Sequence, residues 1–131
     1  MAMTISYLVC AGRVIQDIPT NKYSYIDIFE RIALPKDSPF LYQAFFVAGK
    51  LSDFKAGGYS IEIKILDPQK KVIGTVPFGN KELVDGDVPF SAYFSLLKIE
   101  KLGRHYIKVS VNGKDLADGD RHYFDVIRLG E

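Results

Sequence analysis

The sequence predicts an all-β protein, a single antiparallel β-sandwich of about eight strands spanning the whole chain as one domain. Three observations carry that prediction. In Tyr59-Ser60-Ile61-Glu62-Ile63-Lys64-Ile65 large apolar residues hold the odd positions and polar ones the even positions, the period of two of a strand with one buried and one wet face. Ile107-Lys108-Val109-Ser110-Val111 repeats the pattern and runs into Asn112-Gly113, a pair that takes the positive φ angles of a tight hairpin turn without steric penalty. Short segments of this kind recur along the chain with turn residues between them, and only one of them competes for a helix.

Taken in order, Ile5 to Asp17 has apolar residues in both alternating sets, Tyr7, Val9 and Ala11 in one and Leu8, Cys10 and Val14 in the other, which suits a strand covered on two sides. Pro19 and Asn21 supply the turn that follows. Tyr23 to Leu34 is the competing segment, because Tyr25, Ile28, Phe29 and Ile32 fit helical spacing. It is nevertheless rich in aromatic and β-branched residues, and Ile26, Ile28, Ile32 and Leu34 also fit one strand face. We read it as a strand facing inward through these aliphatic residues, which puts Tyr23, Tyr25 and Phe29 together on the opposite face.

Pro35 to Pro39 is a loop, and Phe40 to Leu51 a strand apolar on both faces, with Phe45, Val47 and Leu51 opposite Tyr42, Ala44 and Phe46. Gly57-Gly58 turns the chain into Tyr59 to Asp67, and Asp67-Pro68-Gln69-Lys70 turns it back into Lys71 to Phe78, a strand that Gly74 and Pro77 mark as an edge or as its end. Gly79 to Pro89 reads as a polar, turn-rich connection. Phe90, Ala92, Phe94 and Leu96 then share a face until the phase flips to Leu97 and Ile99, the mark of a bulge or of a strand changing sheets. Ile107 to Val111 and Arg121 to Leu129 complete the set.

Asn21 through Tyr25-Ile26-Asp27-Ile28-Phe29-Glu30-Arg31-Ile32, then Asp67-Pro68 with Ile73, then Gly103, Tyr106 and the Val109-Ser110-Val111-Asn112-Gly113 hairpin follow one another in an order that resembles a small family of bacterial proteins known only as a domain of unknown function. The resemblance spans most of the chain. It implies an immunoglobulin-like sandwich in which Tyr23 to Leu34 is strand, and it implies no active residues.

The 131 residues suffice for one domain with its own core, and 17 basic against 16 acidic residues leave a net charge of +1, without the positive excess of a nucleic-acid binder. The single cysteine, Cys10, permits no intramolecular disulfide, and its apolar neighbours Leu8, Val9 and Ala11 read as a buried, unreactive thiol. The apolar run at Ile5 to Gly12 lacks a preceding basic residue and is closed by Arg13, unlike a signal core. No apolar run reaches the length of a membrane helix. The reading places the chain in the cytoplasm.

Asp85-Gly86-Asp87 and Asp118-Gly119-Asp120 are the most suggestive polar groups, since sandwich loops of a C2-like module supply carboxylates to calcium, but Asp-Gly is also a preferred turn pair that needs no ion. The calcium candidates are Asp85, Asp87, Asp118 and Asp120, and the reading itself assigns no metal and no cofactor. His105 and His122 lack zinc-ligand spacing and read as surface histidines beside Arg104 and Arg121. Lys98, Lys101, Arg104 and Lys108 gather charge around Gly103, with Glu100 among them. No nucleophile elbow, phosphate loop or dinucleotide fingerprint appears, which leans against an enzyme.

These observations lead to a non-catalytic protein that acts through contact with another protein or with itself, as a homodimer, through Tyr23, Tyr25 and Phe29. The rival reading is a ligand module for calcium and phospholipid, or for carbohydrate stacked on exposed rings.

Overall fold

The protein is described here by a computed structural model that covers residues 3–20, 22–83, 85–116 and 120–130. Among these residues it is all strand and turn: β1 (Thr4–Asp17), β2 (Lys22–Phe29), β3 (Arg31–Leu34), β4 (Leu41–Phe54), β5 (Gly57–Leu66), β6 (Val72–Leu83), β7 (Gly86–Ile99), β8 (Gly103–Val111), β9 (Lys114–Asp115) and β10 (Tyr123–Arg128). They form a 4-stranded sheet in the order β2-β1-β4-β7 and a 6-stranded sheet in the order β3-β10-β8-β5-β6, with β9 pairing with β8. Among the described residues no helix is long and apolar enough to cross a membrane.

The segment Tyr23 to Leu34 is strand, as its β-branched and aromatic content predicts, but it is two strands in two sheets. The chain leaves the 4-stranded sheet at Glu30, and β3 then lies parallel to β10 through Arg31↔Asp125 to Leu34↔Arg128, so the pairing is not antiparallel throughout. The crossing also corrects the expected facing. Cys10 pairs with Phe29 and Ala11 with Ile28, and because Cys10 belongs to the core, Phe29 turns inward while Ile28 is left 56% exposed. Beyond Glu30, Ile32 and Leu34 are buried. Inward residues three apart cannot share one uninterrupted pleat, so Ile28 faces out at the end of β2 whereas Ile32 and Leu34 face the core in β3.

A second difference lies at Gly79 to Pro89, expected as an irregular connection. The sheet pairing of β6 extends to Leu83 opposite Gly57, and β7 starts at Gly86, whose φ of 117° is open to glycine and strained for other residues. Lys71 to Phe78 falls largely within β6, and β6 is the last strand of its sheet, as Gly74 and Pro77 indicate. The phase flip in β7 is a bulge: Gln43 faces Leu97 whereas Phe45 faces Phe94, one extra residue on β7. Leu96, expected beside Phe94, is thereby pushed to the surface at 68% exposure, and Leu97 and Ile99 are buried.

One buried cluster draws on both sheets, with Cys10, Phe45, Val47, Leu51, Phe94 and Ile99 from one, and Leu34, Ile63, Ile65, Ile107, Phe124 and Val126 from the other. Phe45 is its junction, with ring centroids 5.5 Å from Phe29, 5.6 Å from Phe94 and 5.8 Å from Phe124. The loop between β3 and β4 is fastened from the far end of the chain, where the Arg128 guanidinium donates to the carbonyls of Pro35 at 3.2 Å, Lys36 at 3.3 Å and Ser38 at 2.9 Å. The turn after β5 closes on Asp67, whose carboxylate accepts from the amides of Gln69 and Lys71 at 2.9 Å each and from Lys101 at 3.0 Å. Those donors, the Lys71 amide first, hold its carboxyl below the ordinary range.

Truncation of Phe45 to alanine removes three ring contacts and leaves a cavity where the sheets meet. Phe45→Ala is expected to lower the unfolding free energy by about 3–5 kcal/mol, read as a shift in the denaturant midpoint; a loss below 1 kcal/mol would show that the core closes without this ring.

Candidate functional site

Each inward residue of a strand fixes its neighbours outward, so the buried cores of β4 and β7 determine what the 4-stranded sheet shows on its other face. Phe45 and Val47 are buried, which turns Phe46 out, and Ala92 and Phe94 are buried, which turns out Tyr93, 50% exposed. The register aligns these with the outward residues of the other two strands in one row, Ile28↔Ala11↔Phe46↔Tyr93. Ala11 is itself fully buried and Phe46 half-buried, so Ile28 and Tyr93 supply most of the exposed surface of that row. The Phe46 and Tyr93 rings lie 4.7 Å apart, and the β7 bulge adds Leu96. Tyr42, 52% exposed, stands opposite Lys98, and Lys98 lies 4.7 Å over the ring of Phe40, which also meets Tyr42 at 5.5 Å. The result is an apolar and aromatic band across an open sheet face with a cation at one end.

The three rings expected on an exposed face are not gathered there. Phe29 packs against Phe45. Tyr25 is half-buried, with its hydroxyl 3.0 Å from that of Tyr7 and the rings in edge contact at 6.2 Å, and burial, then the Tyr7 hydroxyl, push its pKa up. Tyr23 lines an apolar cleft of about 350 Å³ at the β6–β7 end of the molecule. The signal that could have found the actual band was present in the sequence: Tyr42, Ala44 and Phe46 make β4 apolar on its second face.

The described carboxylates of the Asp-Gly-Asp pairs, Asp85, Asp87 and Asp120, are each bound to different partners. Asp85 accepts from the amide of Ala56 at 2.5 Å, Asp87 lies 3.3 Å from Lys50, and Asp120 lies 2.7 Å from Lys70 and 3.0 Å from Lys108, while Asp118 is outside the described residues. Hydrogen bonds from Lys70 and Lys108 hold the Asp120 carboxyl below its ordinary range, and Ser52 and Lys50 do the same for Asp87. Among the described residues no three His, Cys, Asp or Glu side chains are placed to share a metal ion. The charge expected around Gly103 is spent in pairs: Lys101 with Asp67 at 3.0 Å, Arg104 with Asp125 at 3.2 Å and over the Tyr123 ring, Lys108 with Asp120, and Lys98 with Glu100 at 3.8 Å.

His105 is not a surface residue. It sits on the inward side of β8 between Arg104 and Tyr106, 1% exposed, with its ring stacked 5.2 Å from Phe124 and Nδ1 3.1 Å from the carbonyl of Gly103. His122 is half-buried and lines, with Cys10, Glu30 and Arg121, a second cleft of about 220 Å³ where the chain crosses at Glu30. Burial pushes the Cys10 thiol up to about 12, so no thiolate is available there at neutral pH. No family model matches the chain, and no curated protein matches it.

Burial lowers the His105 pKa, so the unfolded chain takes up a proton near pH 6.5 that the folded chain refuses until a lower pH. Stability is therefore expected to fall as pH drops through 6.5 toward the folded value, above the range where carboxylates protonate. Melting temperatures at pH 7.5 and 5.5 check this, since His105→Gln should flatten the difference; an equal drop in wild type and variant would assign the effect elsewhere. Cys10 is expected to react with a thiol reagent only on the timescale of unfolding, and rapid stoichiometric labelling of the folded protein would contradict its burial.

Proposed function

We propose that the chain is an immunoglobulin-like β-sandwich with no catalytic role, and that it works by protein contact, pairing with a second copy of itself through the outer face of its 4-stranded sheet. What supports the sandwich is the single core fed by both sheets and joined at Phe45 and Phe124. The contact rests on one observation, the Ile28, Phe46, Tyr93 and Leu96 band that the register lays across a solvent-facing sheet. Aromatic side chains with a polar tip are the residues that interface centres favour, and contiguous apolar surface on a folded domain marks a place where something else packs. A second copy suits the band because a two-fold contact sets the same patch against itself and asks for no opposite charge on the partner. Among the described residues, Lys50, Lys70, Lys101 and Arg104 are each paired with a carboxylate.

Sedimentation equilibrium at micromolar concentration is expected to give a dimer. Tyr93→Lys places a charge at the centre of the band and should weaken the dimer roughly tenfold or more. The monomer should still fold cooperatively with a modestly lower melting temperature, since Tyr93 lies outside the buried core and loses its ring contact with Phe46. A monomer at every concentration would refute self-pairing, and a dimer indifferent to Tyr93→Lys would refute this face.

A further inference from the structure

The molecule carries a second feature, independent of the contact face, at the end where β6 passes into β7. There the two sheets part and leave a cleft of about 350 Å³. Its floor is Leu51 of β4 and Ile61 of β5, 0% and 4% exposed, and its walls include Phe78 of β6 and Val88 and Phe90 of β7, all half-buried. Phe78 and Phe90 meet edge to face at 6.4 Å across the gap between the sheets and brace it. Tyr23 reaches it from β2.

We propose that this cleft binds a small uncharged apolar molecule, an aliphatic chain or an aromatic ring with at most one hydrogen-bonding end. The chemistry of the lining selects that class. Among the described residues that line it no side chain is charged, and Tyr23 and Ser91 are the ones that carry a hydroxyl. An anion, a cation or a sugar would lose its hydration there without partners to replace it. Water is a poor occupant for the same reason, and apolar hollows in proteins take apolar guests in its place. The size is at the low end of small-molecule sites and too small for a strand or helix of another protein. Leu83 of β6, Val88 and Pro89 of β7 and Tyr23 of β2 line it, and Tyr93 is not among its lining residues, so a ligand there leaves the Tyr93 face uncovered.

The test is a titration of the full chain with 1-octanol and with indole, followed by amide and methyl chemical shifts, with sodium octanoate as the charged counterpart of the first. Saturable shifts are expected at Leu51, Ile61, Phe78, Val88 and Phe90, with a rise in melting temperature for the neutral probes and at least tenfold weaker binding of octanoate. Val88→Trp fills the cleft from its rim and should abolish saturation; Leu83→Trp does the same from β6 and serves where the first variant does not fold. The sequence has no tryptophan, so either indole also reports its own burial by fluorescence. Shifts that never saturate in the millimolar range, shifts centred on Ile28 and Tyr93, or saturation unchanged in a folded tryptophan variant would overturn the proposal. The sedimentation behaviour is expected to stay the same with and without 1-octanol, which separates this result from the fate of the self-pairing reading.

Discussion

The structure depends on where one ring is held. Phe45 is fully buried and touches rings from β2, β7 and β10, so it ties together strands that have no hydrogen bond to one another and belong to both sheets. Dispersion between well-packed rings is modest per atom pair and large in sum, and here it is concentrated at one point. The position of Phe45 also determines surfaces it never meets. With residue 45 inward, Phe46 has to face out, and the register carries that outward phase through Ala11 to Ile28 on one side and to Tyr93 on the other. The exposed band and the core are thus two faces of the same alternation.

That alternation is also what made much of the fold legible. β5 and β8 keep an undisturbed period of two, and both emerge as paired inner strands of the larger sheet. The bulge in β7 was visible because Phe94 and Leu97 are inward-type residues three apart with Ser95 between them. The same three-residue spacing occurs at Phe29 and Ile32, yet there it was masked: Ile26, Ile28 and Ile32 offer an equally apolar even set, and sequence alone does not say which set the core takes. Cys10 decides it, through a register that depends on a partner strand nearly twenty positions away. The parallel pairing of β3 with β10 left no local mark, because it involves no turn and only four register pairs. His105 was misplaced because a polar residue on the inward side of a strand looks like a surface residue until its neighbour Phe124 is known.

The exposed strands show how the fold limits unwanted pairing. β6 is an end strand, and Pro77 within it has no amide hydrogen to offer. Gly74 serves a different purpose: a Cβ at that position would come within 2.6 Å of Leu97, so the glycine lets β6 approach the buried side chains of β7 from the other sheet. The edge is closed as much by this approach as by its sequence. Gly49 is constrained similarly inside the smaller sheet, where an added Cβ would lie 2.2 Å from the carbonyl oxygen of Tyr7.

The grip of Arg128 on the loop after β3 has a consequence for how the chain is made. Pro35 and Arg128 are 93 positions apart, and among the described residues the sheet neighbour of β3 is β10 alone. During synthesis the first four strands leave the ribosome long before that neighbour exists, so Ile32 and Leu34 remain without their final cover until Tyr123–Arg128 has emerged. Closing a contact of such long sequence separation carries a large loop-entropy cost before any packing offsets it. The docking of β10 is therefore the step at which translation speed, chaperone capture and completion of the fold compete for the same nascent chain.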